Sequence, residues 1–82
     1  MATLKATNIS YIFKPKNNEE LQSAVNLWCN DRGNAIVEYG HISTWDTNKI
    51  NNMIGLFYDK TDFDDDISLW DVGNVTDMES MF

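Results

Sequence analysis

The sixteen-residue stretch ISLWDVGNVTDMESMF, residues 67–82, repeats ISTWDTNKINNMIGLF, residues 42–57, at a constant offset of 25 positions. Six of the sixteen positions are identical, and they include the tryptophans Trp45 and Trp70. A fixed period of this length is typical of repeat proteins, in which each unit buries its apolar face only against its neighbours. The repetition therefore favours a binding or assembly module over an enzyme.

Each copy predicts a short strand, a turn and a short helix. The Ile-Ser-x-Trp-Asp piece is extended over two or three residues only, because the Ile and the Trp cannot both face inward in a longer regular strand. Thr76 and Glu79 match the capping-box pattern, and Asn51 takes the cap position in the earlier copy. Apolar residues then recur at i, i+3 and i+4, which predicts a helical face. The predicted repeat core consists of Ile42, Trp45, Ile50, Met53, Leu56, Phe57, Ile67, Trp70, Val75, Met78, Met81 and Phe82.

The chain before the repeats predicts one strand and two helices. Residues 9–13 are β-branched and aromatic, which favours a short strand. Asn17 and the acids after it form a typical helix entry, and the helix should end around Asn30. The apolar spacing in residues 35–39, followed by Gly40, favours a second helix, although the same residues leave a strand open as the alternative.

The repeated phrase resembles the BspA-like leucine-rich repeat family, whose members repeat a phrase close to FxxDISxWDVSNVTxMxxMF. The later copy matches it at Phe63, Asp66, Ile67, Ser68, Trp70, Asp71, Val72, Asn74, Val75, Thr76, Met78, Met81 and Phe82. The earlier copy matches at Ile42, Ser43, Trp45, Asp46, Met53 and Phe57. It departs from the phrase at residues 47–49 and at Asn51, and Gly73 replaces the usual Ser in the later copy.

The resemblance implies a fold and a broad role. Residues 13–39 are similar to the leader that often precedes such repeats in proteins of algae, protists and large DNA viruses. Family members are commonly exposed on surfaces, and some act in adhesion to other proteins. The expected fold is an α+β repeat: an N-terminal strand and helical capping region in residues 1–41, then two strand-turn-helix units of a leucine-rich-repeat-like solenoid in residues 42–82.

Composition narrows the classes of partner. A net charge of −7 and a pI near 4.3 disfavour nucleic acid and anionic membrane surfaces, and fit either a soluble surface or a basic ligand. The chain contains neither a signal-peptide pattern nor an apolar run long enough for membrane insertion, so an intracellular place, or one within an assembly, is expected. The single cysteine, Cys29, cannot form an internal disulfide, and its helical pattern favours a buried free thiol.

No residue pattern points to catalysis, a cofactor or a metal. Asp62, Asp64 and Asp66 have the alternate spacing of calcium loops, but Ile67 and Gly73 stand where an EF-hand requires Gly and Glu. A solvated acidic loop is the preferred interpretation. His41, the only histidine, has no signature of a catalytic partner, and a structural role beside the helix end is favoured.

The apolar end of the second copy suggests a route of association. Met81 and Phe82 lie on the predicted apolar face with no capping segment after them, and an exposed apolar end favours binding. We therefore expect a non-enzymatic protein-interaction module, from a longer array or a short member of the family. The alternative is a small structural subunit of a larger assembly, such as a viral one, docked through this end. The expected interaction residues are Asp62, Asp64, Asp65, Met81 and Phe82.

Overall fold

The computed structural model describes residues 12–82, and its regular secondary structure is helical. Helix α1 spans Asn18–Asn30, helix α2 spans Arg32–Tyr39, and a 3₁₀ turn spans Ile42–Thr44. No strand forms within this range. The predicted α+β class, with its strand-turn-helix solenoid, is therefore wrong, and the described chain is a small globule built from two helices and ordered turns.

Helix α1 forms because its ends are capped and one side is apolar. The Asn17 side chain accepts a hydrogen bond of 2.9 Å from the Glu20 amide, which satisfies one of the free donors of the first turn. The buried side is Leu21, Ala24, Val25 and Trp28. Both helices expected before the repeats are confirmed.

Asp31 joins the two helices. Its amide donates to the Leu27 carbonyl at 2.7 Å, and its side chain accepts from the Asn34 amide at 3.3 Å. The same residue therefore ends α1 and caps α2. Gly40 ends α2 at φ 80, a left-handed conformation that Gly adopts without steric cost.

The predicted strands are replaced by turns that side chains close locally. Residues 9–11 of the first predicted strand lie outside the described residues, and Phe13 belongs to no strand. At the start of the first copy, Nδ1 of the preceding residue His41 accepts from the Ser43 amide at 3.2 Å. At the start of the second copy, a carboxylate oxygen of the preceding residue Asp66 accepts from the Ser68 amide at 2.8 Å. Such local acceptors compete with extended structure, which explains the missing strands.

The two predicted short helices are also absent. Gly55 and Ser80, which are 25 residues apart, have φ values of 64 and 55, and this left-handed conformation interrupts a right-handed helix. Thr76 does not cap a helix, because its hydroxyl donates to the Asn51 carbonyl at 3.1 Å. The Glu79 amide instead bonds the side chain of Asp77 at 3.0 Å.

The two copies lie side by side, with matched conformations. We call residues 42–57 the first repeat segment and residues 67–82 the second repeat segment. Asn52 and Asp77 form an isolated parallel bridge, whose separation of 25 residues equals the offset of the repeated phrase. Three amides of the first segment donate to carbonyls of the second, and these bonds are Met53 to Asp77 at 2.8 Å, Gly55 to Glu79 at 3.1 Å and Phe57 to Met81 at 2.7 Å.

One apolar core joins α1 to both repeat segments. The ring of Trp45 lies 6.1 Å from Trp28 and stacks on Trp70 at 6.3 Å between centroids. The buried residues of the core are Phe13, Leu21, Ala24, Val25, Trp28, Ala35, Ile42, Trp45, Ile50, Met53, Leu56, Phe57 and Trp70. Partly buried side chains pack against them, including Ile67, Val75 and Met81. Met78 and Phe82, which we expected in the core, are exposed.

Candidate functional site: an exposed surface on the second repeat segment

Asp65 is engaged in internal contacts, in contrast to the predicted role in a solvated interaction loop. One carboxylate oxygen accepts from Trp28 Nε1 at 3.0 Å and from Arg32 Nη2 at 2.9 Å. The Arg32 guanidinium lies 4.7 Å from the centroid of the Trp28 ring, within range of a cation–π contact. Asp65 therefore ties the acidic loop to the helices. Sequence reasoning missed this cluster because Arg32 and Trp28 lie 33 and 37 residues before Asp65.

The other acids of the loop divide into free and bonded groups. Asp62 and Asp64 are exposed. Asp66 accepts from Ser68, and hydrogen bonds from that residue's side chain and backbone lower the pKa of Asp66. Within residues 12–82, no group of three His, Cys, Asp or Glu side chains is placed to hold a metal ion.

A groove of about 310 Å³ lies between the end of α1 and residues 59–63. Cys29 lines it and is exposed, which corrects the predicted buried thiol. Partial burial of the sulfur is nevertheless the largest influence on its pKa, which is raised despite the lowering effect of Lys60. A raised pKa reduces the thiolate fraction, so this thiol is a poor nucleophile. The groove also contains the side chains of Arg32 and Asp62, of opposite sign.

His41 has a structural position. Its Nδ1 lies 2.9 Å from the Ser43 hydroxyl, and its ring meets the Trp28 ring edge-on at 4.9 Å. These contacts hold the 3₁₀ turn against the core.

In the part of the chain that the structure describes, no helix is both long and apolar enough to cross a bilayer.

Exposed apolar side chains lie in the second repeat segment and directly after the first. We call Tyr58, Met78 and Phe82 the C-terminal surface, and 62%, 44% and 73% of their respective areas are exposed. The Phe82 ring lies parallel to buried Phe57, with 5.3 Å between centroids and 9° between planes. A shallow cavity of about 300 Å³ opens between Phe82 and residues 57–61. An aromatic ring that packs on the core with one face and remains largely exposed to solvent is a typical anchor for a partner.

The same surface carries unpaired backbone donors. The amides of Met78, Ser80 and Phe82 make no hydrogen bond to any described residue. Their counterparts 25 residues earlier are Met53, Gly55 and Phe57, whose amides all bond to the second segment. Because the segments are parallel and share the same turns, these three amides of the second segment point away from the first, whereas the Thr76 amide donates to the Asn51 carbonyl.

Residues 61–82 carry charge of one sign, whereas the preceding residue, Lys60, lines the cavity beside Phe82. Residues 61–82 contain seven Asp or Glu side chains and no Lys or Arg. Only Asp65 in that stretch forms an ion pair with a described residue. Asp77 and Glu79 lie directly on the second segment, beside the open amides, so the electrostatic potential there favours cations.

Comparison with known proteins gives a family. A family model described as "Mycoplasma protein of unknown function, DUF285" matches residues 7–82. No curated protein and no solved structure matches the chain. Since the match covers most of the chain, the protein belongs to the DUF285 family, a family of BspA-like repeat proteins.

Proposed function

We propose that this protein is a non-enzymatic protein-interaction module of the BspA-like type, and that it binds its partner through the C-terminal surface. The observation that carries the proposal is the exposure of Phe82 (73%), although the ring already stacks on Phe57. An aromatic side chain held in one orientation loses little conformational entropy on binding. It therefore provides contact area with a small loss of conformational entropy.

The neighbouring groups support the same role. Aromatic residues and Met are enriched in the cores of protein interfaces, and both types are present in Met78 and Phe82. Unpaired amides next to them offer directional bonds to a partner. Apolar anchors combined with main-chain donors suit a peptide or protein ligand better than a small polar substrate.

A catalytic role has less support from the described residues. Cys29 and His41 have the side chains most suited to catalysis, but neither is in a reactive state. The pKa of Cys29 is raised, and His41 is bonded to Ser43 and packed on Trp28. Neither provides an activated nucleophile or a free base. Binding remains the proposal.

Photo-cross-linking from position 82 tests the proposal. The variant Phe82→p-benzoylphenylalanine keeps an aromatic ring at the surface, and irradiation in cells that express the protein natively should give one discrete adduct. Val37, on α2, is 85% exposed and provides a matched site for the same probe. We expect no such adduct from position 37.

A second substitution links the adduct to the surface. Adding Met78→Glu places a charge in the apolar surface and should abolish the adduct from position 82, since burial of an unpaired charge is costly. Equal adducts from positions 37 and 82, or an adduct that survives Met78→Glu, would contradict the proposal.

A further inference from the structure

We propose that Thr61 is a phosphorylation site, and that the enzyme which modifies it is a Ser/Thr protein kinase with a basic substrate cleft. The inference goes beyond the proposed function, because it concerns the loop that precedes the second repeat segment. It follows from three observations: an exposed hydroxyl that bonds no described residue, a stretch of main chain with few hydrogen bonds, and a row of carboxylates that face solvent.

The Thr61 hydroxyl is accessible to an enzyme. Thr61 is exposed and lies in a turn, and its side chain makes no hydrogen bond to any described residue. Within residues 61–66, one backbone group bonds a described residue, and this bond runs from the Phe63 amide to the Lys60 carbonyl at 3.1 Å. A kinase therefore needs to open a single turn to take the segment into its cleft. Exposed loops are the parts of a folded chain that enzymes reach most readily.

Three carboxylates follow Thr61 at alternate positions. We call them the acid row, and they are Asp62, Asp64 and Asp66. All three are exposed, whereas Phe63 and Asp65 between them are partly buried. Burial therefore alternates along the segment as it does along an extended chain.

The partly buried residues hold the acid row toward solvent. The Phe63 ring stacks on the Phe57 ring with 4.2 Å between centroids. Asp65 accepts hydrogen bonds from Trp28 and Arg32. Since these contacts hold both residues inward, the charges of the row remain available to a partner. Complementary charge steers association, so the row favours a kinase with a basic cleft.

Thr76 shows why the sequence pattern alone does not select the site. It is also followed by an acid at the next position, Asp77, and by another three residues on, Glu79. However, its hydroxyl and its amide both donate to the Asn51 carbonyl, at 3.1 Å and 2.9 Å. Phosphorylation there would remove the hydroxyl donor and place a dianion in the pairing of the two repeat segments. The two threonines share an acidic pattern, and accessibility selects Thr61.

The transfer follows ordinary kinase chemistry. Thr61 Oγ1 attacks the γ-phosphorus of ATP, a new O–P bond forms, and the bond from that phosphorus to the β,γ-bridging oxygen breaks. The hydroxyl proton passes to a carboxylate base of the kinase, and ADP leaves. The phosphate then carries a charge of about −1.5 to −2. Lys60 forms no ion pair with a described residue and lines the same groove as Thr61, so it provides a counter-charge.

Phosphorylation of the intact protein tests the proposal. The protein is incubated with ATP, Mg²⁺ and a Ser/Thr kinase that prefers acidic substrates, and separately with one that prefers basic substrates. Mass spectrometry of the intact protein and of its fragments locates the phosphate. We expect the first kinase to modify Thr61 and not Thr76, and the second to leave Thr61 unmodified. Thr61→Val should remove the phosphate and keep the circular dichroism spectrum, because the side chain is exposed.

Neutralisation of the acid row provides a second test. Asp62→Asn combined with Asp64→Asn keeps the shape of both side chains, and the rate of transfer to Thr61 should fall by at least about tenfold. The difference should shrink as salt is added. Glu38→Gln combined with Glu79→Gln also removes two charges from exposed residues, but outside the row. In this control the rate should change by less than about twofold.

Several results would overturn the inference. They are phosphate on Thr76 in place of Thr61, no transfer to the intact protein, equal transfer to Thr61 by both kinases, and equal rates for the acid-row variant and its control. The proposed function has a separate test, the specific adduct from position 82, and none of these results bears on it.

Discussion

Replacing Trp70 by alanine should destabilise the whole described domain. Its ring is 93% buried, stacks on Trp45 at 6.3 Å and lies 6.0 Å from Phe57, and its Nε1 donates to the Ile42 carbonyl at 2.9 Å. Loss of a buried Trp ring costs about 3 to 5 kcal/mol in the free energy of unfolding. A domain of 82 residues has about 4 to 12 kcal/mol in total. The substitution should therefore remove a large part of the stability.

Urea unfolding followed by far-UV circular dichroism measures this loss. The helical signal comes from α1 and α2, which contain neither Trp70 nor its hydrogen-bond acceptor, so the signal reports whether the helices depend on the repeat packing. Trp70→Phe should cost less than Trp70→Ala, about 1 to 3 kcal/mol, because the Ile42 carbonyl loses its donor while most of the ring remains.

The neighbouring Leu69 provides the control. It is 85% exposed, and Leu69→Ala should change the free energy of unfolding by less than about 0.5 kcal/mol. A cost below about 1 kcal/mol for Trp70→Ala, or a helical transition that keeps its midpoint, would refute the reasoning. Removal of a buried ring from one cooperative core should lower the free energy of unfolding by more than that.

Three further predictions concern single side chains. Thr47 is fully buried and its hydroxyl donates to the Asp71 carbonyl at 3.0 Å, so Thr47→Val should lower the free energy of unfolding by about 1 to 2 kcal/mol, measured by urea unfolding. Ser80→Gly should raise the melting temperature slightly, by relieving a left-handed conformation worth about 1 kcal/mol, and a lower melting temperature would contradict this. Hydrogen bonds from the Gly73 backbone and then from the Asn48 side chain lower the pKa of Asp71 below its ordinary 3.8. Since the folded pKa is the lower one, this stabilisation is present above about pH 4 and is lost as the pH falls through the folded value. Asp71→Asn should therefore reduce the loss of stability between about pH 5 and about pH 2, and an unchanged acid profile would contradict the assignment.

The helices could be predicted from sequence because their determinants are local. Asn17 lies three residues from the amide that it caps, and the buried residues of α1 recur within three turns. Gly40 likewise marks the end of α2 by its own conformation. Each of these signals acts within a few residues, and sequence patterns carry such information directly.

The short helices were predicted wrongly because turns share their spacing. Met53, Leu56 and Phe57 face the core at helical intervals, yet the Leu56 amide bonds to the Met53 carbonyl in a single turn. The amides that would continue a helix are bonded to the second repeat segment instead. Gly55, in the middle of the pattern, was the one residue there that could have indicated a break in the helix.

The candidate site was predicted in part. Phe82 could be named from the apolar end of the repeated phrase, but its degree of exposure depends on packing. The open amides could not be found, because they are identified only by the pairing of their counterparts in the first segment. The engagement of Asp65 depends on Trp28 and Arg32, which come from a different part of the chain.

The pairing of the two repeat segments can be measured through the hydrogen bonds themselves. In protein labelled with ¹⁵N and ¹³C, scalar couplings across N–H···O=C bonds identify each donor together with its acceptor. We expect correlations that pair Met53 with Asp77, Gly55 with Glu79 and Phe57 with Met81. Correlations displaced to other carbonyls, or their absence while α1 shows its own, would contradict the side-by-side register of the two repeat segments.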